Sequence, residues 1–248
     1  MEQIQETHFF PDGTPKGTGE NPYIAGWPEL AGNPAAICYE DASFLVLNKP
    51  AGMLVHPTAR EDGCTLWNYV KRYYAYRGLT LGLHPVSRLD RFTSGLVVFA
   101  KEPRMQAALA RQDLLKEYLA VTVGAPPEAH GILDAPIARK EGSIIEREIN
   151  PAGKPCRTEY WLLRRCGPLS LVRCRLYTGR THQIRVHFAA AGFPLWHDHL
   201  YGTPGEQARH GLHAWKTGFR HPVTGCRIEI TTELPRDLVA ALKEQHSD

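Results

Sequence analysis

Between His84 and Leu96 the chain reads HPVSRLDRFTSGL. One carboxylate, Asp90, stands between Arg88 and Arg91, and Thr93-Ser94-Gly95 leads into the apolar run Leu96-Val97-Val98-Phe99-Ala100. Turn residues ahead of a short β-branched and aromatic run describe a loop that delivers its side chains at the mouth of a buried strand. A carboxylate flanked by guanidinium groups stays ionised. It can then act as nucleophile or base on a substrate whose phosphates the arginines attract. Asp-Arg neighbours in tight turns are also ordinary surface ion pairs, so spacing alone leaves both roles open.

Two other groups of residues could do chemistry. Arginines 157, 164, 165, 173, 175, 180 and 185 fall within thirty residues that hold one acidic group, Glu159. Arginine without lysine suits bidentate contact with phosphates and stacking on bases, and a density of one sign favours a polyanion. The net charge of +3 conceals this, because residues 1–36 carry five acidic groups against Lys16 and leave +7 for the rest. The histidines form the other group. His197-Asp198-His199, with His182, His187 and His213, offers the donor types of a metal-dependent hydrolase.

These residues need elements to hold them. Residues 36–39 and 44–47 are apolar runs around a Glu-Asp turn and predict a hairpin. Leu66, Tyr69, Val70 and Tyr73 recur with helical spacing, predicting a helix that ends near Gly78. A second helix is expected over 103–115, with Met105, Ala108 and Leu109 inward, then a strand over 116–124. Shorter strands are expected at 143–149, 157–163, 169–177 and 226–231. In 169–177, Val172, Cys174 and Leu176 alternate with Arg173 and Arg175, giving one buried and one basic face. Gly179 to Arg185 opens a helix that runs to about Ala191 and stops at Gly192-Phe193-Pro194. The class is α+β. Residues 1–36, rich in Gly and Pro, are expected to form an irregular extension, and 37–248 the functional domain.

Six scattered cysteines without a CxxC pair fit reduced thiols better than disulfides or zinc. No apolar run approaches the ~18 residues of a membrane span, and the first twenty residues lack a basic start and apolar core. A cytoplasmic monomer without membrane contact is expected.

The string SRLDRFTSGL resembles the Arg-Leu-Asp-x-x-Thr-Ser-Gly motif of the RluA-type family of RNA pseudouridine synthases. Four more segments are similar to that family in the same order: VLNKPAGMLVHP, LKEYLAVTVG, TGRTHQIRVHFAAAG and LHAWKTGFRHPVTG. The resemblance spans roughly residues 37–235. It implies the pseudouridine synthase fold, a mostly antiparallel mixed sheet with flanking helices and a central RNA-binding cleft. The activity it implies is isomerisation of uridine to pseudouridine in ribosomal or transfer RNA, without metal or other cofactor.

Transferred position by position, the resemblance makes Asp90 the catalytic carboxylate. Tyr118 becomes the residue against the target uracil, and Arg185 the arginine that keeps Asp90 ionised and oriented. Arg88 would fill the gap left when uridine leaves its stack, since the reacting atoms are enclosed until the base is flipped. Lys49, Arg91, Arg180 and Gln183 are expected to contact the RNA backbone. The chain departs from the family at Ser87, where His is common, and at Phe193 and His197, in place of the His of Gly-His-Pro and the Gly of Gly-Asp. The small N-terminal RNA-binding domain of many members is not evident. Two rival readings remain, a non-catalytic RNA-binding module and the hydrolase built on His197 and His199.

Overall fold

The computed structural model describes residues 36–58, 65–203 and 209–244. The expected extension therefore lies outside the described residues, except for its last residue. Two compact units divide the chain. One comprises the residues up to Leu114 with Lys216–Thr232, the other Leu115–Trp215 with the residues from Glu233.

The first unit opens with the expected hairpin, β1 (Ala36–Glu40) and β2 (Phe44–Lys49). Asp41 shapes its turn, accepting the backbone N–H groups of Ser43 and Phe44 at 2.7 Å each. Helix α1 (Leu66–Tyr76) is capped by Thr65, whose hydroxyl accepts the Asn68 N–H. The short β3 (His84–Pro85) and β2 both pair antiparallel with β4 (Ser94–Ala100). Every residue of β4 is buried, as expected of a strand covered on both faces. Val97 and Phe99 pack with Leu45, Leu47 and the inner face of α1. Leu96, Val98 and Ala100 pack on the other side with Phe44, Val46, Leu109 and Phe219.

Helix α2 (Pro103–Ala110) is shorter than expected. Helical propensity continues past Ala110, but Leu114 joins the core around Phe44 and Leu115 begins a strand. Tertiary packing overrides propensity here.

The second unit contains β5 (Leu115–Val123), β6 (His130–Leu133), β7 (Ile137–Arg139), β8 (Arg147–Ile149), β9 (Thr158–Cys166) and β10 (Leu169–Leu176). Strands β5, β10, β9 and β6 lie side by side in that order, all antiparallel, and β7 pairs with β8. The strand expected from Ser143 begins only at Arg147, because the Ser143 hydroxyl accepts the N–H groups of Ile145 and Glu146 and makes a turn instead. Ala120, Tyr160, Val172 and Cys174 form one apolar face under α3 (Gln183–Ala190), which contributes Ile184 and Phe188. Strand β11 (Leu212–Arg220) carries the chain back to the first unit, where its end pairs with β12 (Arg227–Thr231). Helix α4 (Arg236–Glu244) lays Leu238, Ala241 and Leu242 against Val121 and Leu169.

The fold is α+β, as the pattern implied. Among the described residues no helix is long and apolar enough to cross a membrane.

Candidate active site

In the first unit, the Arg-Leu-Asp loop is anchored on both sides of its carboxylate. Leu89 packs against the core under α1, and the Asp90 carbonyl accepts the Thr93 N–H at 3.1 Å, closing the turn. Thr93 and Ser94 are buried, and Gly95 takes φ +114°, a region open to glycine. Asp90 itself is half-buried, while Arg88 and Arg91 are exposed.

A second turn, Pro50 to Met53, clasps this loop. Gly52 N–H donates to the Arg91 carbonyl at 2.9 Å and Arg91 Nε returns a bond to the Gly52 carbonyl at 3.0 Å. Lys49 lies beneath with no exposed surface. Its ammonium donates to the carbonyls of Met53 at 2.7 Å, Pro50 at 2.9 Å and Arg91 at 3.0 Å. Lys49, expected to contact RNA, is placed here as a buried ammonium that ties two turns together.

Ser87, one of the departures, uses its hydroxyl to accept the Val98 N–H at 3.4 Å and so pins the loop entrance to β4.

In the second unit, Tyr118 lies on β5 opposite Cys174, half-buried against the cluster to which α3 contributes Ile184 and Phe188. Arg185 projects from α3 and is 5 % exposed. Its Nε and Nη2 donate to the two oxygens of Asp198, 2.8 Å each, and the Tyr201 ring lies 5.1 Å from the guanidinium carbon. Asp198 has no exposed surface. Burial alone would raise its pKa, yet bonds from Arg185 and the Leu200 N–H hold the carboxyl below its ordinary range.

The sequence reading took Asp198 only as a possible metal ligand and did not pair it with Arg185. The signal was present: an acid inside an apolar loop, following the arginine helix, where the resembling family has Gly-Asp. His197, in the glycine's place, takes the left-handed φ of +54° and stacks on Trp196 at 3.9 Å. Phe193, the other departure, packs edge-on against Phe188.

The segment before α3 is held by Gln183, which is 2 % exposed. Its carbonyl oxygen accepts Arg180 N–H at 2.9 Å and the Thr178 hydroxyl at 2.8 Å. Its amide donates to the Arg157 carbonyl and the Thr158 hydroxyl, 3.1 Å each. Gln183, expected to contact the RNA backbone, is placed here as an internal clasp. Arg180 beside it is exposed.

The arginine-rich stretch is not one surface. Arg185 is buried, whereas Arg157 and Arg175 stack on Tyr177, and Arg173 on Trp161, along the outer face of β9 and β10. Glu159 shares that face and holds His130 and Tyr177. The histidines likewise disperse. Asp198 is committed to Arg185, and among the described residues no three potential ligands gather around a metal position.

Comparison with known proteins decides the family. Residues 43–190 match the model of the RNA pseudouridylate synthase family. The chain belongs to this family of RNA pseudouridine synthases. Members are isomerases that act on uridine in RNA. An RNA pseudouridine synthase of Chloroflexus aurantiacus, itself uncharacterized, is 40% identical over 206 residues, which is 79% of this chain and 65% of that protein. Ribosomal large subunit pseudouridine synthase D of Yersinia pestis is 36% identical over 234 residues, covering 87% and 72%. Among solved structures, human RNA pseudouridylate synthase domain containing 1 superposes with a TM-score of 0.70 at 25% identity, covering 86% of this chain and 87% of that one. The segment matched by the family model holds Lys49, the Asp90 loop, Tyr118 and Arg185 together.

Proposed function

We propose that this chain isomerises specific uridines of ribosomal or transfer RNA to pseudouridine, with Asp90 as its catalytic carboxylate. The observation that carries the assignment is the clasped loop: a half-buried aspartate held at the head of a fully buried strand, inside the segment that matches the family. Reaction at one sugar carbon needs a carboxylate held still, because a small misplacement of a reacting group is expensive in rate.

The N1–C1′ bond of the uridine breaks, the uracil turns, and C5 joins C1′. The proton on C5 leaves to solvent and N1 gains one, so the product is an isomer. Asp90 either attacks C1′ and is later displaced, or removes a sugar proton to give a glycal. Tyr118 sets its ring against the flipped uracil. Arg185 orients the catalytic carboxylate. Arg88 enters the space the base vacates, and Arg91 and Arg180, both exposed, contact the backbone. No cofactor takes part in these steps, and we place the enzyme in the cytoplasm as a monomer.

The name of the Yersinia relative favours large-subunit ribosomal RNA as the target. In vitro transcripts of ribosomal and transfer RNA carrying tritium at uridine C5 test this. Release from the ribosomal transcript alone supports the preference, and release from transfer RNA alone reverses it. Absence of release from both, and from ribosomal subunits lacking the modification, contradicts the activity.

A further inference from the structure

The reading of Arg185 above requires its guanidinium to stay in one orientation, and the second unit contains the device that sets it. We infer that Asp198 is a positioning residue for the isomerisation, acting through Arg185. This inference rests on the proposed role of Arg185 and adds a residue whose function nothing else assigns.

Four donors converge on the Asp198 carboxylate. Arg185 Nε reaches Oδ2, while Oδ1 receives Arg185 Nη2 at 2.8 Å, Leu200 N–H at 3.0 Å and Tyr201 N–H at 3.2 Å. The two parallel bonds from Arg185 fix the guanidinium plane as well as its position. The backbone bonds fix the carboxylate in turn, so the Asp198 end of the pair is anchored to the main chain of residues 198–201.

Surroundings remove the remaining freedom. Tyr201 covers the guanidinium with its ring, and its hydroxyl is held by the Arg147 N–H at 2.8 Å and by His182 Nδ1 at 2.7 Å. Asp198 N–H donates to the Leu195 carbonyl at 3.2 Å, and its own carbonyl accepts Gly202 N–H at 2.9 Å. A side chain added at Gly202 would crowd Pro194 Cβ at 3.1 Å and the Leu195 carbonyl at 3.2 Å. His197 and His182, the two non-glycine residues with positive φ among those described, bracket the assembly. Strained backbone that persists around one ion pair marks a geometry fixed by its surroundings.

The Nε and Nη2 edge of Arg185 is set by Asp198. Loss of Asp198 would free the guanidinium to rotate, and the reaction would lose orientation before it lost substrate binding.

The test compares Asp198→Asn, Asp198→Glu and Asp90→Asn, with folding followed by thermal denaturation. Folded Asp198→Asn is expected to lose about 10- to 100-fold in kcat, while its RNA Kd stays within about twofold. Asp198→Glu, which keeps the charge, is expected to recover part of the loss. A folded Asp198→Asn with wild-type kcat, or one whose defect lies wholly in RNA affinity, overturns the inference. Should Asp198→Asn fail to fold, Asp198→Glu decides alone: reduced kcat with unchanged Kd supports the positioning role, and unchanged kcat overturns it. Loss of turnover in Asp90→Asn beside a normal Asp198→Asn refutes the positioning role only. Full turnover in Asp90→Asn refutes the proposed site and the inference with it.

Discussion

The ammonium of Lys49 donates to the carbonyl of Arg91, the residue that follows Asp90, across 3.0 Å of protein interior. A buried lysine bonded to carbonyls is an unusual use of charge, and it ties the Asn-Lys-Pro segment to the Arg-Leu-Asp segment. The first is a brace for the second.

Replacing Lys49 by Met removes the donor while keeping most of the volume. The Met53 and Pro50 carbonyls then lose the ammonium, a loss of about 2–6 kcal/mol at roughly 1–3 kcal/mol for each buried unsatisfied group. Urea unfolding of Lys49→Met is expected to show that decrease, together with reduced turnover. A variant as stable as wild type but weaker in RNA binding would return Lys49 to the RNA surface.

Arg180 and Gln183 are three residues apart and answer to different forces. Arg180→Ala is expected to weaken RNA binding, to reduce the slope of log K against log salt by about 0.7, and to change stability by less than about 0.5 kcal/mol. Gln183→Ala instead removes four internal hydrogen bonds and is expected to destabilise by about 2 kcal/mol or more. Filter binding over a salt series, paired with thermal denaturation, separates the two. Equal salt slopes for wild type and Arg180→Ala would contradict the assignment of Arg180.

Much of this was legible in the chain. The loop and β4 stand out because turn residues and a contiguous apolar run are local signals, and both faces of β4 are covered. Strand β11 gave no such signal: His213 and Thr217 occupy buried positions, so polar residues interrupt the apolar pattern. Lys49 and Gln183 were read as RNA contacts because polar residues in a motif look like contacts. Only the positions of carbonyl groups from distant turns show that they are clasps. The Arg185–Asp198 pair joins residues thirteen apart through a loop, and no periodicity connects them.

His213 predicts a pH dependence. It has no exposed surface, and burial, aided by Arg209, pushes its pKa down to about 3. The unfolded chain, with an ordinary value near 6.5, binds the proton more readily between about pH 6.5 and 3. Stability is therefore complete above that window and falls as pH drops through it, by about 2 kcal/mol from pH 7 to pH 5 for this one group. His210, lowered in the same direction by burial and by Arg185, adds to the effect. Urea midpoints at the two pH values are expected to differ less in His213→Gln than in wild type, and identical differences would contradict this account.

The central claim is that Asp90 performs the chemistry, and tritium release from uridine labelled at C5 tests it most directly. Wild type and Asp90→Asn would be given the same unmodified RNA at matched occupancy. Release by wild type with none by a folded, RNA-binding Asp90→Asn is the predicted result. Comparable release by both proteins would contradict it and move the catalytic carboxylate elsewhere.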